Sequence, residues 1–311
     1  TLMLENLKTY YMQRRIFLKN SLATAAALSI GSQQILKALS IEPWKITMLT
    51  KDIGIFTEKG GTIAFRFSKD GITVVDAQFP DSVTHLIDAL KKQHDAPYHL
   101  LINTHHHGDH TSGNIVFKNL VTRVLAHENS LANQQRVANS QQTVDKQYFP
   151  NEIFQTMKTV HLGNENITLY YDGAAHTNGD STIHFENANI VHMGDLIFNR
   201  RHPFVDRSAG ANIKSWIQVL EKSIGRFDDT TIFICGHSGN GYDIKGSKEM
   251  LRNFKTYLSN LLEFVAKEIK AGKTKEEILA NTEIPGSPEW KGDGVQRPLQ
   301  AAFEELTIHS Y

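Results

Sequence analysis

From residue 61 onward, short apolar runs alternate with amphipathic stretches, the order expected of a layered α/β domain. Residues 61–67 and 72–75 read as strands joined by a Ser68-Lys69-Asp70-Gly71 turn, whose Asp-Gly pair signals a hairpin. Over 81–92, Val83, Leu86, Ile87 and Leu90 share one helical face, and 99–103 then reads as a buried strand. Further strands are predicted at 167–171, 181–185, 190–192 and 230–235, with a helix at 213–224. In 247–270, Phe254, Leu258, Leu261, Val265 and Ile269 recur at helical spacing, a stripe read as core packing. Gly272 ends that helix, and Thr274 with Glu277 forms a capping box for a shorter one. No internal repeat or Gly/Pro/Ser-rich linker interrupts the pattern. The economical organisation is one domain over 41–311, with 247–311 as its helical C-terminal part.

The N-terminal segment reads differently. Arg14-Arg15-Ile16-Phe17-Leu18-Lys19 precedes an Ala-rich apolar stretch at 22–30 and resembles a twin-arginine export signal. That stretch is shorter than the ~20 residues a spanning helix needs. The resemblance implies that residues 1–40 are an export signal with an upstream extension, Met12 being a candidate start. Cleavage near Ala38-Leu39-Ser40 would leave a periplasmic or otherwise exported protein. It would meet the twin-arginine export machinery transiently and keep no stable membrane insertion afterwards.

Charge and cysteine content narrow the partners. Lys+Arg and Asp+Glu are equal at 33 each, so no long-range field favours nucleic acid, and a small-molecule substrate is the expected partner. The single cysteine, Cys235, cannot form an internal disulfide. Its apolar neighbours mark it as a buried, inert thiol rather than a nucleophile. Fifteen histidines remain, and their spacing carries the chemistry.

His105-His106-His107-Gly108-Asp109-His110 is the centre of that pattern. In an extended backbone His105, His107 and Asp109 alternate to one side, while His110 leaves in another direction as the chain turns. Four ligands thus come from six residues and point at two neighbouring positions. Two metal sites need three more contributions, each from a loop after a strand. His176 in Gly173-Ala174-Ala175-His176-Thr177, Asp195 in His192-Met193-Gly194-Asp195-Leu196 and His237 in Ile234-Cys235-Gly236-His237 satisfy that requirement. Glycine immediately before two of them lets the backbone approach a crowded centre.

In this order the residues resemble the metallo-β-lactamase superfamily, over about residues 61–240. The resemblance implies a four-layer αββα sandwich, two sheets with helices outside. It implies one metal held by His105, His107 and His176, a second by Asp109, His110 and His237, and Asp195 bridging. Asp76, after the apolar run 72–75, matches the family's first acidic motif and would orient a ligand from behind. The implied activity is hydrolysis by a metal-bound hydroxide attacking a carbonyl-type substrate, an ester, thioester, lactone or β-lactam amide. Asp109 would also orient that hydroxide or carry its proton. Two zinc ions are favoured because His/Asp ligation suits zinc and the reaction needs no redox change; iron and manganese accept the same donors.

Departures from subfamilies shape the substrate reading. Asp195 stands where one class of zinc β-lactamases has cysteine, which demotes true lactamase activity, and Phe198 stands where quorum-signal lactonases place a tyrosine. An iron-dependent redox enzyme of the same fold and a non-catalytic metal-binding protein are the competing classes. His106 should point away from the metals, and His184 and His192 are read as packing or surface groups. Arg200, Arg201 and Tyr242 are pocket candidates, or solvated loop residues.

Overall fold

Backbone pairing sorts the strands into two main sheets, and side-chain alternation then assigns each face a partner. The computed structural model describes residues 44–94 and 96–307, so the export-signal expectation for 1–40 lies outside the described residues. All described residues belong to one compact unit beginning at Trp44. The first sheet runs in chain order through β1 (Lys45–Met48), β2 (Ile53–Thr57), β3 (Ile63–Ser68), β4 (Gly71–Val75), β5 (Tyr98–Ile102), β6 (Val124–His127) and β7 (Glu152–Phe154). Its early strands pair antiparallel, whereas β4 to β7 pair parallel. Parallel pairing needs crossovers, here helix α1 (Pro80–Lys91), the short helix α2 (Gly108–Thr111) with the 3-10 segment Ser112–Phe117, and helix α3 (Glu128–Ser140).

The later strands are β8 (Met157–Leu162), β9 (Glu165–Tyr170), β10 (Thr182–Phe185), β11 (Ile190–His192), β12 (Phe198–Asn199), β13 (Ile232–Ile234), β14 (His237–Ser238) and β15 (Lys245–Gly246). The second sheet has the order β15-β13-β11-β10-β9-β8, and β12 pairs separately with β14. Helices α4 (Ile213–Arg226), α5 (Lys248–Lys270), α6 (Lys275–Leu279) and α7 (Gln296–Thr307) complete the chain.

The period of two along each strand explains the layers. On β4, Ile72 and Val74 face α1 and its Val83, Leu86, Ile87 and Leu90. Val75 instead joins Ile102, Leu169, Ile183 and Phe185 between the sheets. On the second sheet Ile190 and Ile234 face inward, while Val191 and Phe233 meet Trp216, Leu220, Phe254 and Leu258 of the outer helices. The result is the expected helix, sheet, sheet, helix sandwich, with C-terminal helices on the second sheet. The Thr274–Glu277 capping box is formed in both directions.

One local expectation needs correction, and one element carried no signal to read. Strand β3 starts at Ile63 rather than residue 61, because Gly61 and Thr62 turn aside to bond the carbonyls of Asp109 and Gly236. Helix α3 carried no apolar stripe to detect, since its buried residues are Ser130, Asn133, Gln134 and Ala138. These polar side chains bond across to Asn103 and Asn178, so hydrogen bonds replace hydrophobic periodicity there.

Phe185 is fully buried between the sheets. Phe185→Ala should therefore cost about 3–5 kcal/mol of folding free energy. Urea denaturation measures this directly, and a loss under ~1 kcal/mol would mean that the inter-sheet layer collapses onto the cavity.

Candidate metal centre

Five histidines and two aspartates reach one edge of the sandwich on four separate connections, each leaving a strand. His105, His107, Asp109 and His110 follow β5, and His176 follows β9. Asp195 sits in the 3-10 turn Gly194–Leu196 after β11, and His237 opens β14 just after β13.

The 105–110 segment departs from the extended course its spacing predicts. His107 is the last extended residue (φ −64°, ψ 147°), and its carbonyl accepts the amides of His110 and Thr111 as α2 begins. Asp109 therefore leaves from a helical turn beside His110 instead of alternating with His107. This bend divides the cluster into two groups. In the first, His105 Nε2 lies 3.1 Å and His176 Nε2 2.8 Å from His107 Nδ1, and Asp195 Oδ2 is 3.5 Å from His176 Nε2. In the second, Asp109 Oδ2 lies 3.1 Å from His237 Nε2 and 3.9 Å from His110 Nε2. Asp195 spans both, with Oδ1 3.1 Å from His110 Nε2 and Oδ2 3.4 Å from His237 Nε2.

Hydrogen-bond accounting from behind fixes what these atoms can be. His176 Nδ1 lies 2.6 Å from the Phe204 carbonyl and must donate to it, which leaves Nε2 a lone pair. His107 Nε2 donates to Asp206 Oδ2 at 2.9 Å, leaving its Nδ1 a lone pair. Thr104 Oγ1 gives its proton to Asp76 Oδ2 and so accepts from His105 Nδ1, which again leaves Nε2 unprotonated. His110 Nδ1 donates to Asp76 Oδ2 at 2.7 Å. Three lone pairs thus face one another at hydrogen-bond range with no proton between them. His110 Nε2 and Asp195 Oδ1 are likewise buried with no hydrogen-bond partner. Acceptors gathered this closely repel unless positive charge stands among them, so the donor set fits divalent metal ions.

The charge balance agrees. Burial and the neighbouring imidazoles push His105 well below the ordinary histidine range and His176 down to about 3, so both are neutral ligands at pH 7. For His237 burial acts downward, but Asp195 and Asp109 outweigh it and raise the imidazole to about 9. His110 is raised well above its ordinary value in the same way, by Asp195 and Asp76 against burial. Without a metal, protons hold the second group together.

Asp76, expected to act from behind a ligand, does contact His110, and also accepts the Thr104 amide and hydroxyl. It adopts a left-handed backbone conformation (φ 65°), a strained choice for a residue with a side chain. Two glycines admit the ligands: a Cβ on Gly61 would lie 2.1 Å from His110 Cε1, and one on Gly236 1.9 Å from Asp195 Oδ1.

Other candidates sort clearly. His106 is in neither group; its Nε2 faces Asp206 at 3.6 Å. His192 is buried and bonds the Thr62 carbonyl, and His184 packs against Phe227. The Cys235 thiol is pushed up to about 12 by burial, as an inert core thiol should be. Arg200 stacks on Trp290 and, with Tyr242, lines a separate cavity, whereas Arg201 reaches the metal pocket. Phe198 lines that pocket and stacks on His237. The residue missed from sequence is Asp206. Burial opposes its ionisation, yet the His107 and Ser208 hydrogen bonds hold its carboxyl well below the usual range. It lies 99 residues from His107, on an irregular loop without a strand to announce it.

An αββα sandwich with a shared-carboxylate pair of His/Asp groups at its edge defines a class of metalloprotein. The metallo-β-lactamase superfamily model matches residues 63–237, more than half of the sequence, and the chain belongs to that family. It is 24% identical over 193 residues to the metallo-β-lactamase IND-1 of Chryseobacterium indologenes, covering 60% of this chain and 76% of that protein. It is 23% identical over 207 residues to the type 2 metallo-β-lactamase of Bacillus cereus, covering 63% and 77%. Among solved structures, a metallo-β-lactamase from Pontibacter korlensis superposes with a TM-score of 0.60 at 18% identity, over 70% of this chain and 99% of that one.

Two outcomes are expected. A cation entering the second group must displace protons from His110 and His237, whereas His105 and His176 in the first hold none at pH 7; acidification below about pH 9 therefore weakens the second equivalent. Calorimetric zinc titration in buffers of different ionisation enthalpy should show proton release concentrated in the weaker equivalent, and equal release from both would refute the assignment. Asp206→Asn should lower affinity for the tighter equivalent about 10–100-fold, read by chelator competition.

Proposed function

We propose that the protein is a binuclear metallo-hydrolase, zinc being the favoured metal, that acts on a carbonyl-type small molecule: an ester, thioester, lactone or β-lactam amide. The observation that carries this reading is Asp195, one carboxylate shared between two complete ligand groups. Two divalent cations, when bound, lower the pKa of a water to about 7 and polarise a carbonyl. The protein residues do the rest. His105, His107, His176, Asp109, His110 and His237 would fix the spacing of the two cations, each imidazole except His237 held from behind by the hydrogen bonds above. Five neutral imidazoles and two carboxylates leave the pair with excess positive charge, which stabilises a developing oxyanion.

Asp109 stands at the open side of the second group, about a third exposed. Burial works against its ionisation, but His237 and His110 hold the carboxyl at about 2, so it is an acceptor at neutral pH. That places it to orient the attacking water or take its proton. Asp195 in place of a cysteine ligand supports esters, thioesters and lactones ahead of β-lactams. The paired arginines at 14–15 support export by the twin-arginine route to the periplasm, which cell fractionation tests.

The deciding experiment combines metal analysis with a panel of β-lactam, lactone, thioester and phosphoester substrates. Hydrolysis with two equivalents of zinc supports the proposal; iron with oxygen consumption would favour the redox alternative. Asp109→Asn should retain about one metal equivalent and lower kcat about 10²–10⁴-fold. Unchanged turnover would remove Asp109 from the mechanism.

A further inference from the structure

The metal pocket has a volume of about 310 Å³, and its outer wall is built differently from its floor. Among the described residues, Arg201 and Arg297 both line it, and neither side chain makes a hydrogen bond or an ion pair. Arg207, nearby in sequence, is by contrast engaged by Glu305 and the Ala211 carbonyl. The only carboxylates in the pocket lining are Asp109 and Asp195, which belong to the metal groups.

A third group stands in the same wall. His202 is 8% exposed, and its Nε2 is buried without a hydrogen-bond partner. Its Nδ1 lies 2.9 Å from the Tyr257 hydroxyl, the one hydrogen bond that hydroxyl makes. With that hydroxyl as donor to Nδ1, and burial holding the ring below the ordinary histidine range, the single proton of the neutral ring falls on Nε2. In that tautomer His202, a residue of the pocket lining, carries a buried N–H that meets no acceptor among the described residues. Such a buried donor is costly unless a ligand completes it.

We propose that this wall is a recognition site for the anionic group of the substrate: Arg201 and Arg297 take the negative charge, and His202, set by Tyr257, donates a further hydrogen bond. The site receives an anionic ester, thioester or lactone whose apolar part rests on Phe198 and Phe204, both in the pocket lining. Tyr257 on α5 and Arg297 on α7 lie beyond residue 237, where the family match ends. The C-terminal helices thereby supply the specificity of a metal floor built by the sandwich. This inference rests on the hydrolase reading, and its test separates the two.

Zinc-loaded protein is titrated by calorimetry with phenylmethanesulfonate and with benzyl alcohol, matched probes of which only the first is charged and which need no hydrolysis. The sulfonate should bind at least about tenfold more tightly, a preference that Arg297→Gln and Arg201→Gln each lower several-fold and salt weakens. Tyr257→Phe, which releases the His202 proton to either nitrogen, should lower it less. In parallel, nitrophenyl hydrogen adipate is compared with nitrophenyl hexanoate. The anionic ester should be preferred in kcat/KM, and Arg297→Gln should reduce that ratio chiefly through KM. Equal binding of the two probes, or a preference untouched by both arginine variants, overturns the proposal. Hydrolysis of neither ester nor of any substrate in the panel above, with selective sulfonate binding intact, overturns the hydrolase reading and leaves the anion site standing.

Discussion

The structure depends on one electrostatic constraint, the gathering of lone pairs and carboxylate oxygens around Asp195 with too few protons to separate them. His105 and His176 present unprotonated nitrogens at hydrogen-bond range of the lone pair on His107 Nδ1, and Asp195 spans from this group to His110, 3.1 Å from its Nε2. In a buried setting such mutual repulsion opposes folding, and positive charge at its centre relieves it. The surrounding fold is organised to hold it. Asp76 keeps a strained backbone to reach Thr104 and His110 together, and Gly61 and Gly236 give up side chains so that His110 and Asp195 can close in. These are costs that packing alone does not explain.

The layers supply the rigidity this requires. Each ligand leaves the end of a strand whose neighbours are locked by the inter-sheet core of Ile102, Leu169, Ile183 and Ile234. Strand ends anchored in this way move little, so the ligand spacing is set by the sheets and not by the loops alone.

Much of this was legible in the sequence because two simple patterns carried it. Short apolar runs placed β4, β10 and β11, and the helical stripe placed α5, with errors of one or two residues at the ends. The seven ligand candidates could be picked out because histidine and aspartate followed apolar runs directly. What escaped has physical causes. Helix α3 buries asparagine and glutamine, so no apolar signal marks it. Asp109 looked like a member of an alternating series, but the α2 hydrogen bonds to the His107 carbonyl turn it toward His237. Asp206 acts through His107 from a loop without regular pattern, and only the folded chain brings them together.

The same distinction explains why substrate identity resists a reading from motifs. Ligands sit on the strand ends of the sandwich, within the segment that matches the family, and their types are dictated by the metals. The residues that line the pocket beside them, Arg201, His202 and Arg297, answer to no such rule, because any residue that complements a ligand will serve there. One of them comes from α7, outside the family match, and another is hydrogen-bonded to a tyrosine on α5. The 201–206 segment joins wall to floor, since the Phe204 carbonyl and Asp206 hold His176 and His107 from behind while Arg201 and His202 line the pocket. Of the pocket's charged wall only Arg297 stands on an element that holds no ligand candidate by a hydrogen bond, so α7 is where the lining can change with least disturbance to the metal groups.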